Sequence, residues 1–176
     1  MAVKLTIALA LSHQARLLVF DEPTSGLDPS ARDELIGILG DFLLDEGHSV
    51  LFSTHITSDL ERIGDYLTLI HGGRIVCTGT KEQVLDSYRI VRGGPGDLTD
   101  TIGVRLIGAR RTATGVQALV AAEDAGLLDP RVLVEAPTIE EIAVHIGARE
   151  ERNTLTGITA GDPGPSPVWP GLLAAG

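Results

Sequence analysis

The chain has 176 residues, 43% of them hydrophobic, a formal net charge of -10 at pH 7 and one cysteine, Cys77. That length holds one domain, or one with a small appendage, and the apolar share is enough for a packed core. The acidic balance excludes a broad basic face for nucleic acid, one cysteine excludes an internal disulfide framework, and no stretch reaches the roughly 20 apolar residues of a membrane-spanning helix.

In chain order, Met1 to Ser12 is rich in helix formers and apolar on most sides, which predicts a buried helix. Leu17-Leu18-Val19-Phe20 then runs straight into Asp21-Glu22-Pro23. A short unbroken apolar run closed by a breaker predicts a strand buried on both faces, parallel to its neighbours. Ligands of open α/β sheets sit beyond the carboxyl ends of the strands, which is where Asp21 and Glu22 fall. Successive strand residues point to opposite faces, so one carboxylate is placed to hold a metal and the other to handle a water.

Thr24-Ser25-Gly26-Leu27-Asp28 follows at once. Pro29 to Glu46 reads as a helix, with Asp28 as N-cap, Pro29 at the first helical position and Leu35, Ile38, Leu39, Phe42 and Leu43 on one apolar face. Gly47 is placed to end it in a left-handed turn. Ser49 to Thr54 is the next strand and delivers His55 at its end; Thr57 to Ile63 is a short helix capped by Thr57 or Ser58. Tyr66 to Ile70 and Arg74 to Cys77 form a hairpin over Gly72-Gly73, and Lys81 to Tyr88 a helix. Arg92-Gly93-Gly94-Pro95-Gly96 is read as a linker. Beyond it, 102–107, 116–121 and 131–135 are strands, and Thr138 to Ile146 is a helix opened by a Thr138–Glu141 capping box. The tail from 151 carries Pro163, Pro165, Pro167 and Pro170 and is expected to be disordered. His13, His48, His71 and His145 lack partners at ligand spacing and are expected at surface or turn positions; Cys77 is expected to be a buried, inert thiol.

Asp21-Glu22-Pro23-Thr24-Ser25-Gly26-Leu27-Asp28 with Thr54-His55 downstream resembles the ABC ATPase family, the nucleotide-binding subunits of ABC transporters. The resemblance implies an α/β fold: part of a P-loop NTPase core with a mostly parallel sheet over 1–91, a linker at 92–96, a small α+β accessory module at 97–150 and a tail at 151–176. It implies ATP and Mg²⁺ as cofactors. Asp21 matches the Walker B residue that helps to hold Mg²⁺-ATP. Glu22 matches the catalytic residue that activates water, and His55 the switch histidine that contacts the γ-phosphate. Ser25, Gly26, Leu27 and Asp28 match the D-loop at the interface of two subunits. The residues themselves also allow plainer roles: Glu22 capping the turn after the strand, Asp28 capping its helix.

The implied partners are a second ATPase subunit and a membrane-spanning permease, with no nucleic acid, which implies a peripheral place on the cytoplasmic face of a membrane. The departure from the family is large. No Gly-x-x-x-x-Gly-Lys-Ser/Thr phosphate loop occurs in the 176 residues, and Met1 aligns with the last residue of the signature motif. The expectation is a C-terminal part, inactive by itself, from an ATPase of the export type. A non-transport ABC ATPase and a non-catalytic binding remnant are the alternatives.

Overall fold

The computed structural model describes residues 2–94, 97, 98 and 103–155. They form two compact units, Met1–Gly64 and Asp65–Gly176. The first contains α1 (Ala2–Ser12), β1 (Leu17–Asp21), α2 (Pro29–Leu43), β2 (Ser49–Ser53) and α3 (Thr57–Ile63). β1 and β2 pair in parallel from Leu17 opposite Ser49 to Asp21 opposite Ser53, with α2 as the crossover. Parallel pairing brings both carboxyl ends to the same end of the sheet, and the site is built there. Leu18 and Phe20 on one face of β1 pack with Ile7 of α1 and Leu35 and Leu39 of α2.

The start of α2 follows from its sequence. Asp28 accepts hydrogen bonds from the Ser30 and Ala31 amides, both at 3.1 Å, and Pro29 occupies the first turn, where no amide donor is needed. The helix ends at Leu43, with Leu44 in a right-handed conformation. Gly47 therefore does not cap it; its amide instead donates to Asp45 Oδ1 at 2.9 Å in the following turn. At α3 the cap is the backbone of Ile56, with no side-chain cap bond from Thr57 or Ser58.

Two expectations of burial are corrected. Leu17, Val19 and Leu51 are 56%, 65% and 63% exposed, so β1 and β2 are covered on one face only. On α1, Ile7 is buried while Leu5 and Leu9 are exposed. The physical reason is the same for both: no described element of this unit packs over those side chains.

The second unit opens with the hairpin β3 (Tyr66–His71) and β4 (Arg74–Thr80), whose turn glycines Gly72 and Gly73 both have positive φ, at 56° and 74°. Cys77 lies half-buried on β4, where burial pushes its thiol pKa up and keeps it protonated. α4 (Lys81–Asp86) starts on a Thr80–Gln83 capping box. β5 (Tyr88–Gly93), β6 (Ile107–Thr112), β7 (Gly115–Ala121) and β8 (Leu133–Glu135) form an antiparallel sheet in the order β6-β7-β5-β8. A 3₁₀ turn, Ala122–Leu127, follows β7.

α5 (Ile139–Leu155) opens on the Thr138–Glu141 capping box, with the Glu141 amide donating to Thr138 Oγ1 at 3.1 Å and the Thr138 amide to Glu141 Oε2 at 2.9 Å. Among its described side chains Ile139, Ile142, His145 and Ile146 are buried, so His145 is not a surface histidine. Val91, Ala118, Val120 and Val132 form a second core cluster within this unit.

Several sequence-based boundaries differ from the structure. The helix expected over Lys81 to Tyr88 ends at Asp86, and Tyr88 opens β5; of the strand expected over 102–107, residues 103–106 are not strand and β6 starts at Ile107. Arg92 and Gly93 belong to β5, a central strand paired on both sides, so they are not linker; Pro95 and Gly96 lie outside the described residues. The accessory sheet takes β5 from before residue 97, and the compact division falls at Gly64 and Asp65. Helix α5 runs through residues 151–155, which the tail was expected to occupy; 156–176 lie outside the described residues, as does Ile102 of the expected 102–107 strand.

Candidate active site

The end of β1 carries the two carboxylates, and the end of β2 carries the groups that meet them. Ser53 Oγ donates to Asp21 Oδ1 at 2.5 Å. The Glu22 amide donates at 3.1 Å to both the carbonyl oxygen and the hydroxyl of Ser53. Ser53 thus fixes the carboxylate of one acidic residue and the backbone of the next. Glu22 leaves the strand with φ +48°, a left-handed conformation that costs a non-glycine residue roughly 1–2 kcal/mol. That turn swings the Glu22 side chain toward the β2 end, where its Oε2 lies 2.8 Å from His55 Nδ1. The two side chains are 35% and 71% exposed, so their pairing is open to solvent and to ligand.

Tautomer logic follows from that contact. An ionised Glu22 can only accept, so His55 Nδ1 carries the proton in this pairing. In the neutral ring Nε2 is then an acceptor; in the imidazolium it is a second donor. A groove of about 330 Å³ runs beside Asp21 and Glu22, bordered by Val19 and Phe20 of β1 and Thr6 and Ile7 of α1.

The structure thus brings Asp21, Glu22 and His55 together. Asp28 is spent as the α2 cap, and Gly26 has φ +72°, which only glycine adopts without strain. Ser25 and Gly26 are exposed and Leu27 is half-buried.

Sequence reasoning missed four residues that hold this end of the sheet: Ser53, Thr24, Arg32 and Asp59. Thr24 and Asp59 are each 1% exposed, and Thr24 Oγ1 donates to Asp59 Oδ2 at 2.7 Å. Arg32 Nε donates to Asp59 Oδ1 at 2.7 Å. A polar residue in the first turn of a short helix gives no sequence signal of burial, which is why Asp59 passed unnoticed.

A parallel βαβ unit carries this acidic end, glycine turn and histidine, and the chain as a whole is similar to ATP-binding proteins of export and transport systems. Residues 3–58 match the family model described as "AAA domain, putative AbiEii toxin, Type IV TA system". The chain is a relative of proteins named as ATP-binding proteins of Nod factor export and peptidoglycan transport. It is 30% identical over 165 residues to the Nod factor export ATP-binding protein I of Sinorhizobium fredii, covering 85% of this chain and 47% of that protein. It is 37% identical over 106 residues to the protein of the same name from Rhizobium etli, covering 57% of this chain and 33% of that one. The peptidoglycan transport ATP-binding protein YejF of Agrobacterium fabrum is 38% identical over 81 residues, 46% of this chain and 15% of that protein. A metal-chelate type ABC transporter solved in an inward-facing conformation has 22% identity and a TM-score of 0.42 over 65% of this chain and 44% of its own. The chain spans about half the length, or less, of the curated relatives it matches. Among the described residues no helix is long and apolar enough to cross a membrane.

Proposed function

We propose that these residues form the water-activating half of an ABC-type ATPase site, in a subunit that works with a second ATPase subunit and a membrane-spanning permease of the export type. The observation that carries the reading is the 2.8 Å pairing of Glu22 with His55 at the carboxyl ends of two parallel strands, beside an exposed Asp21. Phosphoryl transfer asks little covalent chemistry of a protein; it asks for a placed water and stabilised charge. Glu22 uses one oxygen on His55 and has the other to take a proton from water as that water attacks the γ-phosphorus and the bond to the bridging oxygen breaks. His55 Nε2 faces away from that bond and, in the imidazolium form, donates to the γ-phosphate.

Asp21 fits Mg²⁺ as a single exposed carboxylate. Among the described residues no group of three or more His, Cys, Asp and Glu could form a metal cage. Mg²⁺ accepts such a site, because it takes one or two carboxylates and fills the rest of its shell with water and substrate phosphates. When bound, the ion neutralises charge developing on the phosphates.

The phosphate-holding half requires a Gly-rich loop whose amides and lysine cradle the phosphates, a pattern these 176 residues do not contain. The 176 residues alone are expected to show no ATP turnover. The open apolar face of Leu17, Val19 and Leu51 is where the completing polypeptide would pack, since parallel strands are normally covered on both faces. The test uses a polypeptide in which a phosphate loop and a signature motif precede these residues. Glu22→Gln should trap it as an ATP-bound dimer by sizing in the presence of Mg²⁺-ATP. Free cycling to monomer at the wild-type rate would overturn the reading.

A further inference from the structure

We propose that Asp59 is a positioning residue that sets the Glu22–His55 pairing, acting through Thr24; the inference rests on the reading of that pair given above. Asp59 is a carboxylate with 1% exposure, and a buried carboxylate is tolerated only when its oxygens are matched by donors. Both oxygens are matched, and from different segments. Oδ2 receives the Thr24 hydroxyl at 2.7 Å and Oδ1 receives Arg32 Nε at 2.7 Å. Arg32 in turn reaches Ser58 Oγ at 2.8 Å, so the guanidinium grips the start of α3 at two points.

The placement of these partners carries the argument. Thr24 lies two residues after Glu22, and Asp59 four residues after His55. The Thr24–Asp59 bond therefore ties the turn that carries the carboxylate to the helix start that follows the imidazole. Behind them, Asp21 opposite Ser53 fixes the strand ends. The Glu22 and His55 segments are thus short spans anchored on both sides. Glu22 needs such anchoring, because its φ of +48° persists only where the surroundings over-determine it. With Thr24 released from Asp59, that turn loses its buried side-chain anchor and keeps backbone bonds, from the Ser25 amide to the Glu22 carbonyl and from the Glu22 amide to Ser53, neither of which fixes the side-chain pair at 2.8 Å.

The test is made on the full 176-residue chain without nucleotide. Imidazole ¹⁵N and ring N–H signals of His55 report its Nδ1–H bond to the Glu22 carboxylate, with Glu22→Gln assigning the signal. Wild type and Thr24→Ser, which keeps the hydroxyl, should show the bonded form. Thr24→Val and Asp59→Asn should lower the bonded population about three- to tenfold, the equivalent of one hydrogen bond's worth of positioning, while backbone shifts of Leu18 and Leu39 stay in place. A merely structural bond would move the melt and leave the His55 signature alone. Retained pairing in folded Thr24→Val, or no bonded signal in the wild type, overturns the inference. If Asp59→Asn fails to fold, Thr24→Val against Thr24→Ser decides. Free cycling of Glu22→Gln in the completed enzyme would overturn the proposed function and leave this result standing.

Discussion

Glu22 occupies a left-handed conformation at φ +48°, and replacing it tests whether strain is held at this site. Two substitutions are compared, Glu22→Ala and Glu22→Gly. Both remove the carboxylate and its bond to His55, so their difference isolates the backbone. At an ordinary position glycine is the less stable of the two by about 0.4–1 kcal/mol, because its unfolded chain has more freedom to lose. At this position alanine carries the left-handed penalty of roughly 1–2 kcal/mol, which glycine does not. The second effect outweighs the first, so Glu22→Gly should be more stable than Glu22→Ala by roughly 0.5–1 kcal/mol. With urea slopes of about 1–3 kcal/mol per molar, the midpoints should differ by roughly 0.2–1 M. Urea unfolding followed by circular dichroism reads this, with amide exchange at Leu18 and Leu39 assigning the transition to the first unit. Glu22→Ala as the more stable variant would refute the reasoning, since the backbone at residue 22 would then be unstrained.

Gly108→Ala should cost the second unit about 2–5 kcal/mol, because its φ is +58° and an added Cβ would overlap the backbone carbonyl of His145. Gly103→Ala, with φ +86° and open space around it, should cost only about 1–2 kcal/mol; equal urea midpoints for the two would contradict the overlap. Burial pushes the pKa of His145 below its ordinary 6.5, more than the Gly108 carbonyl at 2.9 Å raises it, with Arg110 and Arg92 also lowering it and Glu141 raising it. The unfolded chain then binds the proton more readily, so the stability tied to neutral His145 is complete above about pH 6.5 and declines as pH falls toward the folded-state value. Thermal melts between pH 7.5 and 5.5 should fall more steeply in wild type than in His145→Gln, and parallel slopes would contradict this.

The first unit was largely legible in the sequence because its signals are local. Asp28-Pro29 announces a helix start, the apolar run ending in Asp21-Glu22 announces a strand, and Gly72-Gly73 announces a hairpin in the next unit; all three stand in the structure. Burial was not legible, because it depends on what packs opposite: Leu18 and Val19 are adjacent and both apolar, yet one is 3% and the other 65% exposed. The second unit was legible only in part. Arg89-Ile90-Val91 has only two apolar residues and suggests no element of its own, and Arg92 falls in the glycine-rich run read as a linker. The segment is an inner strand with Ile90 and Val91 buried, and Arg92 is neutralised from outside its own segment, by Glu135 of β8 and by Glu141 of α5 at 2.7 Å. Partners 43 and 49 residues away leave no trace in a local pattern. The same holds at the candidate site. Asp21, Glu22 and His55 could be named from a motif, whereas Thr24, Arg32 and Asp59 are linked only by the fold.

The division of labour proposed for the two carboxylates is the central claim, and it is tested by nucleotide affinity and turnover for Glu22→Gln and Asp21→Asn, measured side by side in a polypeptide in which a phosphate loop and a signature motif precede these residues. In the proposed mechanism Glu22 removes a proton only as water attacks, and such a base is worth about 10²–10⁴-fold in rate. Glu22→Gln should therefore lose turnover by about that factor and bind Mg²⁺-ATP nearly as the wild type does. Asp21→Asn should weaken the Mg²⁺-dependent part of binding itself. Near-normal turnover in Glu22→Gln, or the same pair of defects in both variants, would contradict the account.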